Sequence, residues 1–583
     1  MTQDLTDRWR AATVPAAHTA TAHTATAHTI HRQYAPPWQA ETVTDLPVVL
    51  DDEPHTGQFR ALTADEAAQA LRHDARIRAG SGHSGRLSRP LWPLLAILVV
   101  QAALSLRLVW SDSAFQDEAL YLWAGHLEWL HWLRGAPINA AALPTYFSGA
   151  PVVYPPLGAL ADSVGGLAAA RMLSLFFMLG TTGLLYGTTR RLFDFRAALF
   201  AAALFAGVGS TQFLGAFATY DAMALFLLAL STWLCVRASG AAGWRMAPLL
   251  VMAGALMALA DAAKYASALF DPVVIAVAVL VMWRDRGRRA GIVTGGIVAG
   301  TAALLLAVAL RLGGAAYWHG IALTTTARQA GSTPSPGVLF ISGKWIGAVA
   351  VLAVTGAVAS RGAWPSRLLG WLLAAAVFLA PAEQARIHTL TSLFKHVGYG
   401  AWFGCVVAGF ALDAFTRAVP AVKRTSAARI AMIAVVAASV SGVAFAASHF
   451  AAWPDESAYV TGLRPVLASA HGQVLVDDAQ LPEYYLGIYT GFEQITNSSY
   501  FSYTDPVTHR RITDAASAYA DAIRHRFFAV ISLTYGKAPT IYDPGIVADI
   551  KSYGGYRLVS SVPYRTPTDR GLFLTWVREG AAK

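Results

Sequence analysis

The chain has 583 residues, of which 55% are hydrophobic and only 14% charged, and its mean hydropathy is +0.43. Soluble domains usually carry about 25% charged residues, so this composition excludes an ordinary soluble enzyme and favours a membrane protein with many spans. The net charge of +10 would suit nucleic acid, but the basic residues lie in loops between apolar runs, where they set membrane orientation and argue against a nucleic-acid partner.

The first ninety residues are polar and lack the apolar periodicity that a folded core needs, so we expect a disordered cytoplasmic tail over residues 1–90. We expect no cleavable signal peptide, because the first apolar run begins only at Leu91. A tandem Ala-His-Thr repeat around His18, His23 and His28 offers metal binding as the alternative role of this tail.

Residues 91–449 alternate between apolar runs and short loops, which predicts a mainly α fold, a polytopic bundle of membrane helices. Cys235 and Cys405 both fall inside such runs, which excludes a disulfide framework and a cysteine metal site. We count eleven segments, of which the ninth is short for a span of about 20 residues. They cover residues 91–110, 167–189, 197–216, 220–236, 246–262, 266–283, 290–312, 338–358, 367–381, 398–416 and 429–448.

Lysine and arginine are distributed unequally between the loops on the two sides of this bundle. With the N-terminus inside, the inner loops up to residue 450 hold 15 of these residues and the outer loops hold 5. The positive-inside rule therefore predicts a cytoplasmic N-terminus and an extracytoplasmic C-terminus for eleven spans in the cell membrane. The long loop 111–166, the loops 313–337 and 382–397, and all residues after 450 then lie outside.

The first outer loop contains two adjacent carboxylates, Asp117 and Glu118, just past the first apolar run. Adjacent carboxylates repel each other, so one pKa can rise toward neutrality, as a general base requires. The alternative is a solvated loop helix whose acids only mark the outer end of a span. A second acid, Asp221, falls in the short outer turn between the third and fourth segments, where it could cap a helix, bind a divalent metal ion with Asp117 or contact substrate hydroxyls.

Other polar features lie in the outer loops. The text Tyr154-Pro155-Pro156-Leu157 precedes the second segment, and its prolines predict an extended approach to the membrane. Lys264 and Arg328 are single cations between apolar runs, and a structural role explains each of them more simply than a substrate contact.

The loop 382–397 concentrates cations and hydroxyl groups at the predicted outer face. Such a set suits a lipid-linked phosphate or diphosphate, and a solvated amphipathic loop is the equal alternative. Its charged, histidine and hydroxyl-bearing members are Glu383, Arg386, His388, Thr389, Thr391, Ser392, Lys395 and His396.

Residues 450–583 differ in composition and predict a small extracytoplasmic α/β domain without a Gly-rich phosphate motif. Its role is either structural or to shape an acceptor site. The predicted elements are strands at Gln473–Val476, Phe528–Leu533, Tyr556–Val562 and Leu572–Val577, and helices at Asp514–Arg524 and Pro544–Ser552.

The order of these features resembles the GT-C superfamily of membrane glycosyltransferases, which take sugars from polyprenyl-phosphate carriers. It is most similar to the bacterial relatives of protein O-mannosyltransferase and of aminoarabinose transferase. The matching residues are the acidic pair in the first outer loop, Pro155–Leu157, Asp221, the pair Lys264-Tyr265, and the outer domain at the end. The resemblance covers about residues 91–450.

The resemblance implies that Asp117, beside Glu118, is the general base and that Asp221 contacts substrate or metal. It implies single displacement with inversion at the anomeric carbon, a polyprenyl-phosphate sugar as donor, and a cell-envelope glycan, lipid or protein as acceptor. A divalent ion is an optional cofactor. Aminoarabinose transferases carry a lysine where this chain has Tyr154, which argues against lipid A as the acceptor. The candidate substrate contacts are Tyr154, Lys264, Arg328, Arg386, His388, Lys395 and His396.

Two other functions fit a chain of this kind. A transporter or flippase of lipid-linked glycans would favour internal repeats and ionisable residues near the middle of the membrane, whereas the acids here cluster at span ends. A non-catalytic scaffold that presents its outer domain would tolerate replacement of Asp117 and Asp221.

Overall fold

The structure is a computed structural model, and it describes residues 91–138, 143–487, 494–498, 501, 503–536 and 542–580. The N-terminal tail, with its predicted disorder and its histidine repeat, lies outside the described residues. From Leu91 onward the described residues belong to one compact unit.

Helices make up the membrane part of this unit, as the apolar runs predict. In chain order they are α1 Trp92–Val109, α2 Gln116–Arg134, α3 Leu143–Tyr146, α4 Tyr154–Leu192, α5 Phe195–Gly207, α6 Gly209–Leu214, α7 Tyr220–Ala238, α8 Met246–Ala263, α9 Asp271–Arg286, α10 Arg288–Thr324, α11 Ser335–Ala359, α12 Trp364–Ala375, α13 Leu379–Arg386, α14 Leu393–Ala418 and α15 Arg424–Phe450. Short 3-10 turns at Gly243–Arg245, Tyr265–Phe270, Ala376–Phe378 and Ala421–Lys423 join or extend several of them.

Ten helical stretches among the described residues are long and apolar enough to cross a membrane, so the chain is a multi-pass membrane protein. These ten coincide with ten of the eleven predicted segments. The short ninth segment is extended by the 3-10 turn and α13 into a stretch of 23 residues, Trp364–Arg386. The fold class predicted from the sequence is therefore confirmed.

The third predicted segment differs because it is broken into α5 and α6 at Val208, whose extended backbone (φ −63°, ψ 134°) interrupts the helix. The start of α5 lies beside the C-terminal end of α14, where Arg196 is 3.3 Å from Asp413. Past the other end of the broken segment, Phe217 lies under the ammonium group of Lys395, 5.7 Å from the ring centre, in the first turn of α14. Lys395 and Asp413 are 18 residues apart, about 27 Å along a helix, so the broken segment covers nearly the height of a membrane.

Helix α14 is the most deeply buried of the long helices and packs against α5 and α11. Small residues along it permit this close contact, as is usual between membrane helices. At Gly409, for example, a Cβ atom would collide with the carbonyl oxygen of Ala197 in α5. This central position brings Lys395, in the first turn of α14, to the end of the bundle core where α2 begins.

Two local predictions are wrong. The segment Tyr154–Pro156 is the first turn of α4 and not an extended approach, because proline is compatible with the first helical positions, where no intrahelical N–H bond is lost. Non-helical backbone at Gly165 and Gly166 then separates this outer part of α4 from the spanning part. The loop 382–397 is also partly helical, since its two ends belong to α13 and α14.

The outer domain is a mixed sheet with helices, as predicted. Its strands are β1 Gln473–Val476, β2 Ile495–Asn497, β5 Phe528–Gly536, β6 Tyr556–Arg565 and β7 Arg570–Arg578, in the spatial order β2-β1-β5-β7-β6. The first three are parallel, and β7 runs antiparallel to both β5 and β6.

Further elements of this domain include ones that the pattern of the sequence did not predict, namely two helices and a small hairpin. The helices are α16 Ser457–Ser469, α17 Gln480–Leu486, α18 Ala515–Arg524 and α19 Asp543–Tyr553, of which α18 and α19 were predicted, and the hairpin pairs β3 Tyr503–Thr504 with β4 Arg511–Ile512.

Candidate active site

The acidic pair occupies the first turn of α2, where the exposed N–H groups of a helix favour negative charge. Glu118 Oε2 accepts a hydrogen bond from the backbone N–H of Phe115 at 3.0 Å, which closes the start of the helix. Successive residues of a helix point about 100° apart, so Asp117 and Glu118 face different surroundings. Glu118 is fully buried, whereas 31% of the Asp117 side chain is exposed.

Glu118 forms a buried ion pair with Arg171, a residue of the second span that sequence reasoning missed. Arg171 Nε and Nη2 donate to the two carboxylate oxygens at 2.8 and 2.7 Å, and neither side chain is accessible to solvent. The backbone N–H of Ala218 donates to Glu118 Oε1 at 2.8 Å. Both oxygens are therefore fully engaged, and Glu118 ties the turn before Asp221 to the start of α2.

Arg171 also holds the loop between α1 and α2 directly. Its guanidinium donates to the backbone carbonyls of Val109, Asp112 and Ser113 at 2.8–3.0 Å. A single buried arginine thus holds the end of α1, the loop that follows it, and Glu118, the residue next to Asp117. A charged residue inside an apolar run is the signal by which the sequence could have revealed it.

Asp117 belongs to a second, separate cluster of charges. Lys395 Nζ donates to Asp117 Oδ2 at 2.6 Å and lies 3.8 Å from Asp221 Oδ2. Lys264 Nζ lies 3.4 Å from Asp221 Oδ1. Asp221, Lys264 and Lys395 are nearly completely buried, so only Asp117 links this group of two acids and two cations to solvent.

The local backbone explains how Lys264 and Lys395 reach the same point. Lys264 has an extended conformation between the end of α8 and the following 3-10 turn, and the loop at Ser148 fills the break by accepting the N–H of Tyr265 at 2.8 Å. Lys395 follows Ser392, whose left-handed conformation (φ 64°) turns the chain into α14. Each cation therefore sits where one helix ends or begins.

Tyrosines form the floor of the cluster. Lys264 Nζ lies 4.6 Å from the centre of the Tyr220 ring, a distance suited to a cation–π contact. The hydroxyl of Tyr121 donates to that of Tyr220 at 2.6 Å, and the Tyr399 hydroxyl donates to the backbone carbonyl of Asp221 at 3.1 Å. Tyr154 is buried and packs edge-on against Tyr220, so it supports the floor and does not line the opening.

The outer domain lies against the first outer loop. The Tyr485 hydroxyl accepts the N–H of Ala114 at 2.8 Å, and Gln116 Nε2 donates to Gln480 Oε1 at 3.3 Å. Burial, together with the nearby charge of Asp117, raises the pKa of Asp478 to about 6. Asp478 lies just past the end of β1, so this end of the strand is close to the candidate base. Sequence reasoning missed Asp478.

Of the remaining predicted substrate contacts, Arg386 and His388 make their contacts outside the charge cluster, whereas His396 lies close to both lysines of the cluster. Arg386 makes a two-pronged ion pair with Glu383 at 2.7 and 2.8 Å and is exposed. His388 is exposed and lies within 3.5 Å of Thr333 and Ser335 in the adjoining loop. The Nδ1 atom of His396 lies 2.8 Å from the side-chain amide of Gln384.

Arg328 differs from the other predicted cations. It is half-buried, and within the described part of the chain no carboxylate lies within ion-pair distance of it. Burial lowers its pKa, and the surrounding charges that act on it include Glu383 and the Tyr220 hydroxyl, which places the guanidinium near the floor of the cluster. Its loop is joined to the loop before α14 by the hydrogen bond from Gly331 N to the Ile387 carbonyl, at 2.9 Å.

The residues of the cluster do not fit the divalent ion that Asp117 and Asp221 suggested. Two ammonium groups, those of Lys264 and Lys395, already lie against these carboxylates at 2.6–3.8 Å. A divalent cation placed between the acids would be repelled by both lysines.

Comparison with known proteins identifies the fold. Residues 159–311 match the sequence model of the family described as dolichyl-phosphate-mannose-protein mannosyltransferase. Crystal structures of ArnT from Cupriavidus metallidurans, bound to undecaprenyl phosphate and in the apo state, are similar with a TM-score of 0.52 and 15% identity, and the matches cover 83% and 82% of this chain and 97% of theirs. The oligosaccharyltransferase of Archaeoglobus fulgidus in the apo form matches with a TM-score of 0.48 and 14% identity, over 84% of this chain and 75% of that one. No curated protein sequence matches the chain.

The ArnT matches span nearly the whole of that protein. Together with the match over residues 159–311, they confirm the resemblance to the GT-C superfamily at the level of the fold. The chain thus has a membrane helix bundle similar in fold to that of ArnT, with a small C-terminal sheet domain.

Proposed function

We propose that the protein is a membrane glycosyltransferase that moves a sugar from a polyprenyl-phosphate carrier to an acceptor hydroxyl on the extracytoplasmic face, with inversion. One observation carries this proposal. Of the two adjacent acids, Glu118 is consumed in a buried ion pair, while Asp117 stays partly exposed above a cluster of buried cations. A reactive carboxylate and phosphate-binding cations therefore meet at one opening.

Asp117 is the general base of the proposed reaction. Its carboxylate removes the proton of the acceptor hydroxyl, the hydroxyl oxygen bonds to the sugar C1 from the face opposite the phosphate, and the bond between C1 and the phosphate oxygen breaks. The proton goes to Asp117 and the electron pair leaves with the polyprenyl phosphate. Lys395 Nζ, which donates to Asp117 Oδ2 at 2.6 Å, holds the carboxylate in position before the acceptor binds.

Cations around the cluster stabilise the leaving phosphate. Lys264 and Lys395 are each balanced by an aspartate, so the resting cluster carries no net charge. Arg328 adds a positive charge without a carboxylate of its own, and a guanidinium suits the oxygen geometry of a phosphate. The ArnT structure that contains undecaprenyl phosphate supports a lipid-phosphate donor for this fold. Arg328 is therefore our first candidate for donor phosphate recognition.

The side of the membrane on which the site lies follows from the charges of the loops at the two ends of the bundle. The first outer loop, α7, α14 and the outer domain all meet at one end of the bundle, the end opposite to that of Arg417 and Asp194. The excess of lysine and arginine in the loops of the Arg417 side supports a cytoplasmic location for that side. We therefore place the active site at the outer face of the cell membrane, with a cell-envelope glycan, lipid or protein as acceptor.

The experiment that tests this function uses a strain that lacks the protein. Polyprenyl-linked sugars are extracted and quantified, because a donor that is no longer consumed accumulates. The full-length wild-type chain should remove the accumulated donor, while Asp117→Asn, which keeps the size of the side chain, should transfer sugar about 10²–10⁴-fold more slowly. Glu579→Gln is the matched control, since that acid is exposed and lies just past the end of β7, in the outer domain.

Two results would contradict the proposal. If the strain accumulates no lipid-linked sugar and its envelope is unchanged, the donor class is wrong. If Asp117→Asn restores transfer as well as wild type does, then Asp117 is not the base, and a transporter of lipid-linked glycans becomes the better explanation.

A further inference from the structure

The outer domain contains a group of possible metal ligands away from the active site. Asp505 follows strand β3, and Asp521 and His525 lie at the end of α18. One ligand atom from each residue can be chosen so that all three lie within 4.8 Å of one another. Asp505 and Asp521 are buried and His525 is half-buried. Two carboxylates and an imidazole thus converge under the surface of the domain.

A buried hydroxyl next to this group points to a missing ligand. Tyr503 is only 3% exposed, and its hydroxyl has no hydrogen-bond partner among the described residues. Residues two apart in a strand point to the same side, so Tyr503 faces the side on which Asp505 follows. Tyr503 packs in the same buried cluster as Ala518 and Ala522 of α18, the helix that carries Asp521.

The carboxylate of Asp521 is also incompletely satisfied. Its Oδ1 atom pairs with Arg524, but its Oδ2 atom is buried and accepts no hydrogen bond from any described residue. The Nδ1 atom of His525 lies 3.0 Å from the backbone carbonyl of Asp521 and 3.3 Å from Oδ2. A ring that donates Nδ1–H to the carbonyl keeps a lone pair on Nε2, as metal-binding histidines do.

Ordinary local structure accounts for only part of this arrangement. Asp505 accepts bonds from the N–H of Val507 and the hydroxyl of Thr508, which explains why it sits in the turn between β3 and β4. Arg524 neutralises part of the charge of Asp521, and it is 56% exposed. Neither contact satisfies the Tyr503 hydroxyl or Asp521 Oδ2, and leaving such buried polar atoms unpaired usually costs about 1–3 kcal/mol each.

We propose that Asp505, Asp521 and His525 bind a divalent transition-metal ion, with the Tyr503 hydroxyl bonded to a ligand oxygen or to the ion. Imidazole together with carboxylates suits Zn²⁺, and Mn²⁺ is the nearest competitor, whereas sites for Mg²⁺ or Ca²⁺ are built from oxygen ligands alone. Three protein ligands leave further coordination positions for water.

The ion would act as a staple within the outer domain. Strands β3 and β4 have two residues each, and two-stranded sheets of this size are marginal in water. Asp505 belongs to this hairpin, while Asp521 and His525 belong to the end of α18. A shared ion therefore joins the hairpin to the helix and adds its binding free energy to the stability of that part of the fold.

The test uses the full-length protein in detergent, stripped with EDTA and titrated with ZnCl₂ or MnCl₂. Bound metal is counted by elemental analysis, and hydrogen exchange is followed in residues 503–525. Wild type should bind one Zn²⁺ more than Asp521→Asn and His525→Ala, and Zn²⁺ should slow exchange in this segment of wild type only. Tyr503→Phe, which removes only the hydroxyl, should weaken binding about 10–100-fold.

The comparison with the variants is needed because the tail contains His18, His23 and His28, which can bind zinc independently. His471→Ala, which removes an exposed histidine of the same domain, should leave both readouts as in wild type. Equal zinc counts and equal exchange in wild type, Asp521→Asn and His525→Ala would overturn the proposal. If Asp521→Asn does not fold, His525→Ala and Tyr503→Phe decide the outcome.

Discussion

Removing the charge of Arg171 should uncouple the first outer loop from the bundle and inactivate the protein without touching Asp117 itself. In Arg171→Met the apolar volume is largely kept, but the Glu118 carboxylate stays fully buried without its cation. Breaking a buried ion pair by removing one partner costs about 3–5 kcal/mol. Three backbone carbonyls also lose their donor, so we expect the upper part of this range.

Two further variants separate charge from geometry. Arg171→Lys keeps the charge but cannot reproduce the two-pronged contact or reach all three carbonyls, so it should fall between wild type and Arg171→Met. The double variant Arg171→Met, Glu118→Leu removes the unpaired charge together with its partner and should recover part of the lost stability. Arg424→Met, at an exposed arginine of the opposite end, is the matched control.

The assay is thermal unfolding of purified protein in detergent, combined with sugar transfer at a temperature where the variant is folded. We expect a lower Tm for Arg171→Met, no change for Arg424→Met, and a loss of transfer that exceeds the loss of folded protein. A wild-type Tm together with wild-type transfer in Arg171→Met would refute the view that this arginine positions the loop of the base.

Replacing Arg328 by Ala should raise the KM for the lipid-linked donor, equivalent to about 1–3 kcal/mol for a charged hydrogen bond, whereas Arg386→Ala should change it little; equal effects would remove Arg328 from the phosphate site. Burial, and then the charge of Asp455, raises the pKa of Asp112 to about 7 from an ordinary 3.8, so ionised Asp112 opposes the packing of the first outer loop against the segment at Asp455. That packing should weaken as pH rises from about 4 to about 7; hydrogen exchange in the outer domain, corrected for its intrinsic pH dependence, should rise over the same range, and Asp112→Asn should reduce the dependence. A reporter fused after Arg578 should be extracytoplasmic, and a cytoplasmic signal would reverse the proposed side of the site.

Much of the fold could be predicted because membrane helices need long apolar runs, and loops must carry the charges. The eleven segments and the main strands of the outer domain follow from such patterns. The helical start of α4 was missed because two prolines were taken as an extended chain, although the first helical turn accepts them. The short strands β2, β3 and β4 were missed because two or three residues show no periodicity.

The residues of the candidate site could be predicted from the sequence, but the ion pairs between them could not. Asp117, Asp221, Lys264 and Lys395 all stood out as charges near span ends. That Lys395 pairs with Asp117, 278 positions away, depends on how the helices pack, and a single sequence does not contain that information. Likewise the sequence could not separate Asp117 from Glu118, because the difference arises from the direction in which each points from α2.

The break at Val208 decides whether the number of membrane crossings is even or odd. Helix length alone gives an even number of crossings, which would return the chain after Phe450 to the side on which it started. The broken segment, however, meets opposite ends of α14, near Asp413 at its start and near Lys395 at its finish. Counting it makes the number odd, which supports our proposal that Leu91 and the outer domain lie on opposite sides of the bilayer. On that proposal, a topology diagram drawn from helix length alone would place every loop after Leu214 on the wrong side.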